Sequence, residues 1–192
     1  MTETKTNTSS TQSHSSPAFF RQITLSLPDA KTHFIFWSIM IGGLALDLWT
    51  KAAVFDWLKP QQVFPVLDDF LRLITARNDG AAFSLFAGKP YFLAIISIVA
   101  IVGILLVFLF SGTTHRLIHV ALGLFAAGVC GNLYDRLFQD GRVRDFIDVY
   151  WGTYHWPTFN VADSFLCIGV GLLIISTFLI EKPAQKRDQQ QK

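Results

Sequence analysis

Hydrophobic residues fall into four long runs, at approximately Phe34 to Phe55, Tyr91 to Phe110, Leu117 to Leu137 and Val161 to Ile180. Each is close to the ~20 apolar residues a helix needs to cross a hydrocarbon core. The second and fourth are nearly free of charge, and in lipid a helix satisfies its backbone polar groups within its own segment. The pattern predicts four transmembrane helices. The first and third runs do carry charge, but only near one end and on one helical face: Asp47 and Lys51 stand at i, i+4, and Asn132, Asp135 and Arg136 at i, i+3, i+4.

If the runs cross the membrane in alternation, the ends of the first and third share a face with the starts of the second and fourth. Asp47 and Lys51 lie toward the end of the first run, Arg77 and Asn78 precede the second, Asn132 to Arg136 finish the third, and Asn160 and Asp163 open the fourth. Every polar cluster therefore converges on one membrane face. Two extramembrane segments join it there. Residues 56–89 contain Pro60, Pro65 and short apolar runs at 63–67 and 70–75, which predict a small strand-containing platform. Residues 138–159 carry Phe146, Tyr150, Trp151, Tyr154, Trp156 and Phe159, rings that favour the headgroup layer, and are expected to form an interfacial aromatic loop. Small residues in the third run, from Ala121 to Gly131, permit close helix approach.

The expected fold class is thus an all-α membrane protein of four helices with a small β-containing platform and an aromatic loop. Its membrane domain spans residues 34–180. Residues 1–17 are rich in Ser, Thr and Gln and read as a disordered tail rather than a signal peptide, residues 19–27 read as interfacial, and 181–192 as a polar tail.

Composition agrees: half the residues are hydrophobic, 18 are Phe, and the mean hydropathy is positive. A net charge of +2 without a dense basic patch argues against a nucleic-acid partner. Cys130 and Cys167 lie inside hydrophobic runs, lack metal-ligand spacing and read as small apolar residues. Lys and Arg divide evenly between the two sides, so the positive-inside count alone does not orient the chain. Lys182, Lys186, Arg187 and the short-loop Arg116 lean toward cytoplasmic termini, with the polar clusters on the outer face.

Residues 131–163 pack Asp135, Arg136, Asp145, Asp148, Asn160 and Asp163 between two apolar runs, where ionisable residues are scarce unless functional. Asp145 and Asp163 are the candidate acid and base, since a water between two carboxylates can lose a proton to one while the other, still protonated, bonds the carbonyl under attack. The bland alternative is that both are solvated or paired with Arg136, Arg142 or Arg144. Asp47 and Lys51 read as an intrahelical ion pair near the interface, with Lys51 snorkelling. Asn132 and Asn160 could bond between helices or hold a peptide backbone. Asn78 and Gly80 read as a turn. The five histidines are scattered; His115 and His119 share a helical face on the opposite side, an interfacial pair with no acidic partner nearby. Neither a serine-nucleophile motif nor a phosphate loop is present, and no metal or cofactor is expected. Two non-enzymatic readings stand beside the hydrolytic one: a transporter or proton relay, against which the polar clusters stop at one face, and a lipid-binding structural subunit.

Five blocks then carry a resemblance over nearly all of residues 34–180: DLWTK at 47–51, RNDGAAFS at 77–84, GNLYDR at 131–136, VRDFID at 143–148 and FNVADS at 159–164. The chain resembles the bacterial lipoprotein signal peptidases, or type II signal peptidases. The resemblance implies a four-helix inner-membrane aspartic endopeptidase with a periplasmic platform, and a monomer is the expected state. Such an enzyme, without metal or cofactor, cleaves a prolipoprotein before its diacylglyceryl-modified cysteine. It carries the catalytic dyad onto Asp145 and Asp163, substrate-positioning roles onto Asn78, Asn132, Arg136 and Asn160, and structural support onto Asp47, Lys51, Gly80 and Asp135, the last being the second choice as catalyst. One departure is Arg144, where the family commonly has an apolar residue. It is expected to face the lipid headgroups.

Overall fold

The computed structural model describes residues 27–81, 85–113 and 115–180. The readings of residues 1–17, 19–26 and 181–192, and of positions 82–84 in the second motif, fall outside the described residues. In order, the elements are α1 (Ala30–Trp57), β1 (Phe64–Leu67), β2 (Leu71–Asn78), α2 (Pro90–Phe110), α3 (Arg116–Phe138), β3 (Val143–Trp151), β4 (Tyr154–His155) and α4 (Val161–Ile180). All four helices are long and apolar enough to cross a membrane.

Local chemistry sets their ends. The Asp29 carboxylate accepts from Thr32 N at 2.8 Å and caps α1. Pro90 opens α2 at a position where a missing N–H costs nothing. At the start of α4, Asn160 and Asp163 exchange bonds: Asp163 N donates to Asn160 Oδ1 at 3.0 Å, and Asn160 N to Asp163 Oδ2 at 3.1 Å. This is a capping box written with Asn and Asp.

Helix α3 is the hub, packing against α1, α2 and α4. Over half of its apolar window is buried, against less than a quarter in each other helix. Its glycines allow this. A Cβ on Gly128 would sit 2.5 Å from the Ala162 carbonyl of α4, and one on Gly131 would collide with the Asp47 carboxylate of α1. The apolar half of the bundle closes around Phe36, Ile104, Phe108, Leu122 and Ala126. Phe36 and Phe108 stack at 4.0 Å between centroids.

The platform is a four-stranded antiparallel sheet in the order β1-β2-β3-β4. Strands β1 and β2 match the expected apolar runs. The segment expected to be only an aromatic loop instead supplies β3 and β4. Residues 143–148 of β3 are mostly buried, so the strand shows no clean alternation for a sequence reading to detect. The aromatic expectation holds at the hairpin tip, where Trp151 and Tyr154 are both more than four-fifths exposed. A register shift interrupts the β2–β3 pairing between Leu73 and Ala76, just before Ala76 pairs with Asp145. His119, expected at the interface, is buried edge-on against Phe108.

Candidate active site

The ends of α1 and α3, the start of α4 and the middle of the sheet meet at one end of the bundle. Asp145 reaches this site from β3, and Asp163 reaches it from the first turn of α4. Asp145 Oδ1 accepts from Asn160 Nδ2 at 2.6 Å and its Oδ2 from Asn78 Nδ2 at 3.1 Å. Asp163 Oδ1 accepts from Asn132 Nδ2 at 2.7 Å, and its Oδ2 takes the Asn160 backbone N–H already described. Asn160 thus grips both carboxylates. A carboxylate at a helix N-terminus also faces the positive end of the helix dipole.

Burial pushes the Asp145 carboxyl up to about 7, the neighbouring Asp163 charge adding to the effect and the Asn78 and Asn160 bonds opposing it. Neither aspartate has a salt bridge to the arginines offered as the bland alternative. Arg136 donates instead to the carbonyls of Asn132, at 3.3 Å, and Gly80, at 3.0 Å, tying α3 to the turn after β2. In that turn Gly80 N donates to Asn78 Oδ1 at 2.9 Å, which leaves the Asn78 amide nitrogen to face Asp145.

Beneath the dyad lies a buried ionic layer. Lys51 Nζ lies 2.8 Å from Asp47 Oδ2 and 3.3 Å from Asp135 Oδ2, and donates to Asn132 Oδ1 at 3.1 Å. Asp47 Oδ1 accepts the Ala162 N–H at 2.8 Å, fastening α1 to the first turn of α4. The expected ion pair forms, but Lys51 does not snorkel: both it and Asp47 are fully buried. The ammonium stays inside because Asn132 and Asp135 of another helix, 81 or more residues along the chain, add two interior oxygens to that of Asp47.

Arg144 also departs from expectation. It does not face headgroups, because successive strand residues point to opposite faces and this one points inward. Its backbone N–H reaches Asp135 Oδ2 at 2.9 Å, and its guanidinium reaches Oδ1 through Nη2 at 2.8 Å and Nε at 3.2 Å. The layer thus sets two acidic residues, Asp47 and Asp135, against two basic ones, Lys51 and Arg144. Asp135, the second choice as catalyst, is fully enclosed by these cations.

Asp148 lies outside the dyad, bonded to Arg72 at 2.6 Å and close to His155 at 3.1 Å. Sequence reasoning missed the grip of Arg144 and the capping of α4 by Asp47. Neither contact has a local sequence signal, since each joins residues of different elements.

With this geometry in place, known proteins supply the comparison. The family model described as Signal peptidase (SPase) II matches residues 39–179, well over half the chain. The chain belongs to the signal peptidase II family. The lipoprotein signal peptidase of Geobacter sulfurreducens is 41% identical over 154 residues, covering 79% of this chain and 96% of that protein. That of Halalkalibacterium halodurans is 37% identical over 152 residues, covering 79% and 97%. A solved structure titled as a bacterial membrane enzyme superposes with a TM-score of 0.69 at 34% identity, covering 77% of this chain and 92% of its own. A second with the same description gives 0.68 at 32%, covering 83% and 99%. The matched stretch contains every residue of the site, from Asp47 to Asp163. The chain is accordingly a multi-pass bacterial membrane protein and a protease.

Proposed function

We propose that Asp145 and Asp163 are the catalytic dyad with which this signal peptidase II removes the signal peptide from prolipoproteins, cutting before a diacylglyceryl-modified cysteine. The observation that carries the assignment is the shared grip of Asn160: one side chain holds two carboxylates from different elements beside each other, and the burial of Asp145 keeps its proton near neutral pH.

In this reading Asp163 is the base and Asp145 the acid. Asp163 takes a proton from a water held between them. The oxygen adds to the scissile carbonyl carbon, while Asp145 gives its proton to the carbonyl oxygen, forming a gem-diol. Asp163 then passes its proton to the leaving nitrogen, a diol hydroxyl returns its proton to Asp145, and the C–N bond breaks. The products are a free carboxyl on the signal peptide and a free amine on the lipidated cysteine. Asn78, Asn132 and Asn160 hold the carboxylates, and Arg136 holds the turn carrying Gly80 against α3, where substrate backbone would pass. Because the diacylglyceryl chains stay in lipid, the scissile bond is confined near the interface, and a dyad at helix ends gains proximity without a deep soluble cleft.

Both termini lie in the cytoplasm and the dyad at the outer face in this reading, supported by Arg116 in the short α2–α3 loop and the cations after α4. The test is cleavage of a purified diacylglyceryl-prolipoprotein in detergent with a chelator present, wild type beside Asp163→Asn. Chelator-resistant cleavage before the lipidated cysteine, lost in the variant, is expected. Cleavage that persists in a folded Asp163→Asn would reject the dyad.

A further inference from the structure

The three oxygens around Lys51 Nζ differ in kind. Two belong to carboxylates, Asp47 and Asp135, and one to the neutral amide of Asn132. An ammonium has three hydrogens and no acceptor, so whatever oxygen it faces must accept. A primary amide has one acceptor end and one donor end, and fixing one end fixes the other. With Asn132 Oδ1 turned to Lys51, and also accepting from Asn160 Nδ2 at 3.2 Å, its Nδ2 is aimed at Asp163 Oδ1, 2.7 Å away. Reversing the amide would set its NH2 against the ammonium and its oxygen against the carboxylate, two repulsive contacts in place of two attractive ones.

We propose that Lys51 is a positioning residue for the peptide-bond hydrolysis: it acts through the Asn132 amide to fix the Asp163 carboxylate. The inference rests on the dyad reading and goes beyond it by giving a buried residue that touches neither catalytic carboxylate a share in turnover. The remaining valences of Lys51 serve the fold. Asp47 restrains the start of α4 through Ala162 N–H, so the ammonium reaches Asp163 by two routes, one through an amide and one through the helix that bears it.

Removing Lys51 alone would leave the buried layer with excess negative charge, and such a variant can fail to fold. The test therefore removes Asp47 and Lys51 together. Asp47→Asn keeps an oxygen for Ala162 N–H, Lys51→Met keeps bulk, and Asp135 with Arg144 stays balanced. Four proteins are purified in detergent: wild type, Asn132→Ala, Asp47→Asn/Lys51→Met, and the triple variant. Each is assayed on diacylglyceryl-prolipoprotein for kcat and KM, with thermal unfolding measured alongside.

A misplaced catalytic group costs on the order of 100-fold in turnover. The paired variant is expected to lose about that in kcat with KM within about twofold, and adding Asn132→Ala to it is expected to lower kcat by less than about threefold more. Two results would overturn the inference: kcat of the paired variant within about threefold of wild type, or losses that multiply in the triple variant. Failure of the paired variant to fold would also overturn it, since Lys51 would then be needed for assembly itself. Asp163→Asn runs beside them to separate the two claims. If it stays active, the dyad reading fails; if it is dead while the paired variant works normally, only the role of Lys51 fails.

Discussion

The side-chain amide of Asn160 donates to the Asp145 carboxylate across 2.6 Å, the shortest bond in the site that joins the sheet to the membrane helices. It locks a strand residue to a helix cap. Asn160→Ala should break this bond and the capping box together, leaving Asp163 N–H without its side-chain acceptor. A lost N-cap costs about 1 kcal/mol. The expected outcome is a modest fall in thermal stability with a much larger loss of kcat, of order 100-fold, read by thermal unfolding and the cleavage assay on the same preparation. A loss of kcat no larger than the stability change accounts for would contradict the geometry.

Replacing either carboxyl of the proposed dyad should be more severe still. Asp145→Asn and Asp163→Asn are nearly isosteric, so both should insert and fold. A positioned acid or base contributes roughly 100- to 10,000-fold, and single-turnover cleavage should fall at least that far in each. Near-normal cleavage by either would remove it from the dyad.

The pH dependence follows from Asp145. Its carboxyl is raised from an ordinary 3.8 to about 7, chiefly by burial, so it holds the required proton below neutrality and loses it above. The alkaline limb of kcat/KM should therefore bend near 7 and fall tenfold per unit beyond it. Asn78→Ala removes a bond that favours the ionised form, so the limb should move upward even as the rate drops. A downward or absent shift would detach the limb from Asp145. Stability carries the same sign: the folded state binds this proton more tightly than the unfolded chain. Its contribution is thus full below 3.8 and is lost as pH rises toward 7.

Arg144→Met tests the buried ionic layer. It removes the guanidinium bonds to Asp135 and leaves that carboxylate with Lys51 and one backbone N–H. Bonds to charged groups are each worth about 1.5–3 kcal/mol, so a lowered unfolding midpoint is expected. Because Arg144 precedes Asp145, cleavage should suffer too; a variant as stable as wild type would show that the ion pair contributes nothing.

Gly131→Ala should be among the most damaging small substitutions. The added methyl meets the Asp47 carboxylate, which cannot yield because its oxygens are committed to Ala162 N–H and Lys51. Overpacking of this kind costs about 1–3 kcal/mol, and thermal unfolding in detergent measures it.

Much of this is legible in the sequence. Helices announce themselves by apolar length, so the four runs and their polar ends located the site, and the spacing of Asp47 and Lys51 gave their pairing. What escaped depends on contacts distant in sequence. The inward turn of Arg144 requires Asp135 on α3, and the burial of Lys51 requires oxygens from a helix not adjacent in the chain. Strand β3 escaped for another reason: it is covered on both faces along its first half, and its aromatic second half reads equally well as a headgroup anchor. A residue's type can be read locally; which way it faces, in a site assembled from five elements, cannot.

The buried ionic layer also sets a schedule for biogenesis. Lys51 emerges from the ribosome 81 residues before Asn132 and still longer before Arg144. At about 5–20 residues per second, that is roughly 4 to 16 seconds in which α1 has only Asp47 to neutralise its cation. Of the three oxygens around Lys51 in the folded chain, only that of Asp47 belongs to α1; the other two arrive with α3. The proposed dyad is complete only when α4 follows, because Asp163 in its first turn is the last residue of the site in chain order.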